Sequence, residues 1–294
     1  MRKLFQLRIS EIEKDRVNGA SYLTKKCAEA FKMYTLSGAS KESLVEAALL
    51  IAKSRPMMAS IFRLANEILF AIDRGVSQQK LAKVCDRYIL RMERSSKETS
   101  SIGVTLISKA KTVLTHSFSS LVKDALIEVK SRGAELKVYC TESRPAQEGR
   151  RLAQELDDHG ISTTLIADAA APYIVKECDL VVVGADGVGT FGLIHKIGTY
   201  AIALAAQKGG VDFIVLAPEL KFWPKDMREP KEPIKSEDEL RGEGSFDVLN
   251  IYFDVTPLEY LSAAVNENGV SKQADIINIF KKIELHPLLR SIDG

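Results

Sequence analysis

The chain has 294 residues, with 41 Lys and Arg against 39 Asp and Glu, and a formal net charge of +2. This balance argues against a dedicated nucleic-acid binder and against a protein held on an anionic membrane. A hydrophobic fraction of 46% and a charged fraction of 27% are typical of a globular protein and exclude disordered and collagen-like chains. The length allows one large core or two smaller ones.

Neither the apolar runs nor the N-terminus suggests a membrane or an export signal. The apolar run at residues 47–52 is far shorter than the ~20 residues that span a bilayer. Residues 1–8 become charged again within a few positions, so they lack the apolar core of a secretory signal. We therefore expect a cytoplasmic protein.

The cysteines and histidines do not suggest a metal or redox site. The four cysteines lie far apart with no C-x-x-C pair, and the four histidines show no ligand spacing such as H-E-x-x-H. We expect no metal and no cofactor, and we expect the cysteines to be small buried hydrophobes in a reducing compartment. They are Cys27, Cys85, Cys140 and Cys178.

Apolar residues recur at helical spacing through the first hundred residues, as at Leu44, Ala48 and Ile51. This predicts an N-terminal helical domain over residues 1–105, with Gly38 and Gly75 at helix ends. Residues 91–101 are polar but contain neither Gly nor Pro. They could form a flexible linker or the solvated face of a long connecting helix, and we favour the helix.

From residue 112 onward, short β-branched runs alternate with helical stretches. The predicted strands are residues 112–115, 136–141, 163–167, 180–184 and 213–217, and the predicted helices are residues 120–130, 149–159 and 198–208. This alternation is typical of right-handed βαβ crossovers that build a parallel sheet. The fold class is therefore α/β, with a doubly wound domain over residues 106–294.

In doubly wound sheets, ligands bind beyond the carboxyl ends of the strands. The first strand is followed by a hydroxyl-rich turn, where Ser119 or Ser120 opens a helix. Its free N–H groups could hold a phosphate, but simple helix capping is the favoured interpretation. Arg144 follows the second strand, where it could bind phosphate or carboxylate or form a surface ion pair.

The segment after the fourth predicted strand matches the pattern G-x-G-x-x-G at Gly187, Gly189 and Gly192. A dinucleotide site needs the third glycine in the opening turn of a helix after the first strand, and neither condition holds here. We therefore expect a polar loop in which Asp186 and Lys196 serve a phosphorylated substrate. Asp186 could instead cap its own glycine turn.

Seven ordered motifs resemble the initiation-factor-2B alpha/beta/delta family, which also contains methylthioribose-1-phosphate isomerase and ribose-1,5-bisphosphate isomerase. The resemblance implies a helical N-terminal domain, a Rossmann-like C-terminal domain, a phosphate-ligand pocket between them and dimerisation through the C-terminal domain. The motifs are residues 15–21, 54–60, 114–117, 141–145, 183–186, 195–199 and 253–257, the last followed by Glu259 and Tyr260.

The resemblance also indicates where this chain departs from the isomerases, which use a cysteine and an aspartate. The aspartate matches Asp186, but the cysteine position is Ser117, and a hydroxyl is a far weaker acid than a thiol of pKa about 8.5. Asn18, Glu148 and His195 stand where the isomerases have arginine, glutamine and asparagine. Losing an arginine and gaining a carboxylate both weaken the hold on a phosphate.

We interpret the chain as an initiation-factor-2B-alpha-like regulatory protein that binds a nucleoside monophosphate or sugar phosphate, with initiation factor 2 as a candidate partner. The alternative is an aldose–ketose isomerase of the ribose-1,5-bisphosphate isomerase type, with Asp186, Ser117 and His195 as catalytic residues and His195 replacing the missing thiol. The expected ligand-binding residues are Gly19, Ala20, Ser21, Arg55, Ser117, Ser119, Arg144 and Lys196.

Two further segments suggest subunit contacts or a cover over the pocket. An apolar stretch at residues 248–255 and an expected helix at residues 257–266 predict a homodimer through the C-terminal domain. Residues 218–247 are charged and carry prolines at 230 and 233, which fits a loop over the pocket or at a subunit contact. We expect no direct contact with nucleic acid or membrane.

Overall fold

The first half of the chain is helical in the computed structural model, which describes residues 1–232 and 235–290. Gly38 and Gly75 end their helices with φ values of 82° and 65°, as predicted. The polar residues 91–101 lie inside a single 30-residue helix, so the favoured interpretation of that stretch is confirmed. The helices are α1 (Arg2–Lys14), α2 (Ala20–Leu36), α3 (Lys41–Ser54), α4 (Ala59–Asp73) and α5 (Gln78–Ile107).

The helical core is completed by residues from the far end of the chain. Trp223 is buried against α4, where its ring lies 4.7 Å from that of Phe62, and Leu285 and Leu289 join the same apolar cluster. The expected domain boundary at residues 105 and 106 falls near the end of α5 and stays a prediction. Residues 291–294 of the second expected domain lie outside the described residues.

The second half is built on a seven-stranded sheet in the order β10-β9-β7-β4-β1-β2-β3. All its pairings are parallel except that of β10 with β9, and helices follow the strands, so the predicted α/β class is confirmed. The five predicted strands and three predicted helices match within one residue at each end. The elements are β1 (Thr112–Thr115), α6 (Ser120–Ser131), β2 (Lys137–Thr141), α7 (Glu148–Asp158), β3 (Ser162–Ile166), α8 (Ala171–Ile174), β4 (Leu180–Val183), β5 (Gly187–Gly189), β6 (Gly192–Lys196), α9 (Thr199–Gly209), β7 (Asp212–Leu216), β8 (Phe253–Thr256), β9 (Ala263–Asn266), β10 (Gly269–Ser271) and α10 (Gln273–Lys281).

A second, three-stranded sheet in the order β5-β6-β8 replaces the polar loop expected after β4. Gly187 pairs with Ile194, and Gly189 pairs with Gly192, so the glycine pattern forms an antiparallel hairpin. Gly192 has φ 139°, and a Cβ there would lie 2.4 Å from the Thr256 carbonyl oxygen of β8. The glycines therefore serve close strand packing and not a dinucleotide turn.

The helix expected at residues 257–266 is wrong. A short 3₁₀ turn at Leu258–Tyr260 leads into β9, whose Ala263 pairs with Ile214 of β7. All four residues of β9 are buried, because the strand lies between β7 and β10 inside the sheet. A short apolar run without alternation fits either a buried strand or a buried helix, and here sheet pairing decides.

None of the helices in the described parts of the chain is both long and apolar enough to cross a membrane.

Candidate functional site

A cavity of about 310 Å³ lies where the helical half meets the carboxyl ends of the strands. Its helical wall comes from the start of α2 and the turn between α3 and α4, and its sheet wall comes from the ends of β1, β4, β6 and β7 and the start of α7. Of the residues predicted to bind ligand or to act in catalysis, those that line it are Gly19, Ala20, Ser21, Arg55, Ser117, Ser119, Asp186, His195 and Lys196.

The structure does not bring Arg144 into the lining of this cavity. Its backbone N–H donates to Asp168 Oδ2 at 2.7 Å, and its guanidinium Nη2 donates to the Glu239 carbonyl oxygen at 2.8 Å. Arg144 therefore connects the end of β2 to the segment after β7. The predicted phosphate contact of Arg144 is not part of this cavity.

The start of α2 supplies unpaired backbone donors to the helical wall. Gly19 is the N-cap residue and has no side chain to bond the first-turn N–H groups, and Ala20 and Ser21 line the cavity. The preceding turn is fixed by Asp15, which accepts from the N–H groups of Val17 and Asn18. The free N–H groups and the dipole of this 17-residue helix favour an anion.

Arg55 adds a buried positive charge beside this helix start. Its Nε donates to the Ile12 carbonyl oxygen at 2.9 Å, but its Nη2 has no hydrogen-bond partner among the described residues. Burial lowers the pKa of Arg55, although the carboxylates of Asp15 and Asp186 oppose that shift. A desolvated guanidinium with an unused donor is costly, and an anionic ligand would satisfy it.

On the sheet wall, the carboxylate of Glu148 contacts both a hydroxyl group and an ammonium group. The Ser117 hydroxyl donates to Glu148 Oε1 at 2.7 Å, and Lys196 Nζ lies 3.0 Å from the same oxygen. Lys196 Nζ also lies 4.6 Å from the centre of the Tyr252 ring. The sequence indicated Glu148 only as a departure from the isomerases, whereas the structure shows it partnering two predicted ligand residues.

Close packing at the next residue holds Glu148 in place. A Cβ at Gly149 would lie 1.9 Å from the Thr141 carbonyl oxygen and 2.6 Å from Ser143 Oγ. Only glycine permits this approach, so α7 begins directly against the end of β2.

Ser117 lies in a sharp turn. It has φ 67°, an uncommon value outside glycine that costs about 1–3 kcal/mol. Its N–H donates to Ser143 Oγ at 2.8 Å. The neighbouring His116 ring bonds elsewhere, with Nδ1 2.6 Å from Thr141 Oγ1 and Nε2 2.9 Å from the Ile197 carbonyl oxygen. His116 therefore contacts the scaffold and not the Ser117 hydroxyl.

His116 is a neutral structural group at neutral pH. Burial, followed by the nearby charge of His195, lowers the pKa of His116 to about 4. The Ile197 carbonyl can only accept, so Nε2 carries the proton and Nδ1 accepts from the Thr141 hydroxyl.

His195 and Asp186 form a pair in the cavity wall. His195 Nδ1 lies 3.3 Å from Asp186 Oδ2, and His195 Nε2 lies 3.3 Å from the His116 carbonyl oxygen. Both ring nitrogens face an acceptor, so an imidazole that carries one N–H can donate to only one of the two acceptors. The carboxylate of Asp186 contacts His195, and the alternative in which it caps its own glycine turn is not seen.

Sequence reasoning missed Lys221, which lies in a turn shortly after β7 and lines the cavity. Its Nζ donates to the Ala185 carbonyl oxygen at 2.6 Å. Burial lowers the pKa of Lys221, and Asp186 opposes that shift. Its place beyond the carboxyl end of a predicted strand was the available signal.

Two distant motifs meet at the start of α9. Strands β6 and β8 pair so that His195 lies opposite Asp254. Asp254 Oδ2 accepts from the N–H groups of Gly198 and Tyr200 at 2.8 and 3.1 Å, which caps the helix that follows Lys196. Burial raises the pKa of Asp254, and these two backbone donors oppose the shift.

The segment at residues 218–247 contacts both walls, which fits the loop over the pocket that the sequence suggested. Glu239 accepts from Arg16 of the helical half at 3.1 Å and also bonds the Tyr252 hydroxyl of the sheet wall. Within the predicted proline-bearing stretch, Pro233 and Ile234 lie outside the described residues.

Among residues 1–232 and 235–290, no three His, Cys, Asp or Glu side chains are arranged to hold a metal ion. The four cysteines are buried and unpaired, as expected, and burial raises the pKa of Cys27 to about 12.

The family model described as "Initiation factor 2 subunit family" matches residues 14–273. The chain belongs to this family. It is 35% identical over 268 residues to a Pyrococcus horikoshii protein named as translation initiation factor eIF-2B subunit 2-like, with 89% of this chain and 94% of that protein covered. It is 31% identical over 276 residues to ribose 1,5-bisphosphate isomerase of Methanocaldococcus jannaschii, with 88% and 89% covered.

The crystal structure of translation initiation factor eIF-2B from Pyrococcus horikoshii has the same fold, with a TM-score of 0.82 and 33% identity over 92% of this chain and 97% of that one. The resemblance inferred from seven motifs is thus confirmed at the level of the family. Relatives named as initiation factor and as isomerase match at similar identity, so the choice between these functions depends on the cavity.

Proposed function

We propose that this family member is an initiation-factor-2B-alpha-like regulatory protein of the cytoplasm that binds a nucleoside monophosphate or sugar phosphate in the cavity. The observation that carries the proposal is Arg55, buried with a free Nη2 beside the uncapped start of α2. A phosphate oxygen can satisfy that donor and the backbone N–H groups together. Lys196 and Lys221 also line the cavity, but each already contacts a protein oxygen, so Arg55 is the expected phosphate ligand.

The arrangement around Ser117 favours binding over isomerisation. The Ser117 hydroxyl donates to Glu148, so it is held as a hydrogen-bond donor, and no histidine among the described residues is its partner. A carboxylate is too weak a base to take the proton of a serine near neutral pH, so this contact does not activate Ser117. The alternative, an aldose–ketose isomerase, is supported by the 3.3 Å contact between His195 and Asp186, which could move a proton beside a bound sugar.

Calorimetric and thermal-shift titrations test the binding proposal. We expect ribose 5-phosphate and AMP to stabilise the protein, by about 2.7 kcal/mol at 100 times the dissociation constant. Ribose and adenosine are the matched controls, because they lack only the phosphate and should give little stabilisation. Equal effects with and without phosphate, or no effect from any of the four compounds, would show that the cavity is not a phosphate site.

A role in translation initiation, with initiation factor 2 as a partner, is proposed from the name of the Pyrococcus horikoshii relative. If purified initiation factor 2 is not retained by the immobilised chain, this part of the proposal is wrong.

We also propose a homodimer through the C-terminal half. Phe246, Leu249 and Ile251, three apolar residues shortly before β8, expose 55%, 76% and 41% of their surface. The buried strand β9 cannot contribute, although it was part of the original expectation. Sedimentation velocity at micromolar concentration should show a dimer, and a monomer would contradict the proposal.

A further inference from the structure

We propose that Glu148 makes the cavity selective for ligands with a single phosphate, whose other end is uncharged and carries hydroxyl groups. This inference rests on the proposed function and names the ligand class of the same site. It follows from which charged groups of the cavity are already paired in the protein and which are free.

Lys196 is the predicted phosphate ligand on the sheet wall, but its charge is already partnered. Its Nζ lies 3.0 Å from Glu148 Oε1, with the Tyr252 ring covering it at 4.6 Å. Its side chain is only 6% exposed. A phosphate approaching Lys196 would have to displace Glu148 or lie next to its carboxylate.

The other cations of the sheet wall are also occupied. Lys123 and Arg151 lie 3.0 and 2.8 Å from the two oxygens of Glu155. Lys221 donates to the Ala185 carbonyl oxygen, and the negative charge of Asp186 favours its protonated form. None of these groups offers the combination of burial and an unused donor that Arg55 offers on the helical wall. Within the described part of the chain, the cavity thus offers one strong site for a dianion.

The sheet wall instead presents acceptors for hydroxyl groups. Glu148 Oε2 is buried and has no hydrogen-bond partner among the described residues, and the carboxylate of Asp186 lines the same cavity. Ionised carboxylates only accept hydrogen bonds, so they pair with sugar hydroxyls and repel a second phosphate. A phosphate on Arg55 and α2 with a polyol toward Glu148 fits both walls.

The test compares ribose 5-phosphate with ribose 1,5-bisphosphate, which differ by one phosphate, on the wild type and on Glu148→Gln. Glutamine keeps the size of the side chain and an oxygen that can accept from Ser117, but it removes the charge. The matched control is Glu142→Gln, because Glu142 forms a 2.8 Å ion pair with Arg150 outside the cavity lining. Dissociation constants are measured by calorimetry at fixed salt, and thermal midpoints check folding.

We expect the wild type to bind ribose 5-phosphate more tightly than the bisphosphate. Glu148→Gln should improve the affinity for the bisphosphate at least tenfold, about 1.4 kcal/mol, relative to the monophosphate. Glu142→Gln should leave the ratio of the two dissociation constants unchanged.

A wild type that prefers the bisphosphate, or an equal gain for both ligands in Glu148→Gln, would overturn the selectivity proposal while leaving phosphate binding intact. An unchanged ratio of the two dissociation constants in Glu148→Gln would also overturn the selectivity proposal alone. Absence of binding by both compounds would overturn the proposed function and this inference together.

Discussion

Replacing Arg55 with methionine should lower the affinity for ribose 5-phosphate at least 100-fold, which is about 2.7 kcal/mol. The guanidinium is the buried cation whose Nη2 lacks a partner among the described residues, and it lies beside the free N–H groups of α2. Losing a desolvated, charge-assisted hydrogen bond typically costs about 2–5 kcal/mol of binding free energy. Calorimetric titration of the two proteins at the same salt concentration measures the difference.

The same substitution should change the free energy of unfolding without ligand by less than about 1.5 kcal/mol. It removes the bond from Arg55 Nε to Ile12, but it also removes a buried unsatisfied donor, and the two effects are of similar size. Arg16→Met is the matched control, because Arg16 also lines the cavity but is 42% exposed and pairs with Glu239. Affinity within threefold of wild type in Arg55→Met would place the phosphate elsewhere.

The sequence predicted the elements whose signals are local. The strand at residues 112–115 and the helix at residues 120–130 are marked by a β-branched run followed by a serine cap, and both occur as predicted. The capping interpretation of Ser119 also holds, since its Oγ accepts from the Val122 N–H.

The elements that the sequence did not predict depend on distant partners. Strand β9 contains Ala263 and Ala264, which have no strong β preference, and it is a strand because it lies against β7. The hairpin of β5 and β6 is rich in glycine, and it gains its order from pairing with β8, about sixty residues further along the chain. Tertiary pairing of this kind leaves no periodic pattern in the local sequence.

The candidate site shows the same division. Residues just beyond predicted strands, such as Ser117 and Asp186, were found by position and line the cavity. Arg144 occupies an equivalent position but turns toward Glu239, because Asp168 fixes its backbone. The pairing of Glu148 with Lys196 joins residues 48 positions apart, and it depends on how α7 packs against the end of β2 at Gly149.

The wild type should form no ketose from ribose 1,5-bisphosphate at an enzymatic rate, and Ser117→Cys alone should not restore it. The resemblance places the isomerases' cysteine at position 117, but here Oγ lies 2.7 Å from the Glu148 carboxylate. A thiol at this place would have its thiolate form disfavoured by the neighbouring negative charge. We therefore expect activity only when Ser117→Cys is combined with Glu148→Gln, which restores two of the four isomerase residues that this chain lacks.

The double variant should exceed the wild-type background by at least about 100-fold, the lower end of what acid–base groups contribute. Ser119→Cys with Glu148→Gln is the control, because it puts a thiol elsewhere in the same lining. Ketose formation followed by mass spectrometry decides the outcome. Wild-type turnover near the ~10 s⁻¹ of ordinary enzymes, lost in His195→Ala, would contradict the binding-protein interpretation. Proton transfer would then belong to His195 and Asp186, whose 3.3 Å contact already lies in the wall of the cavity.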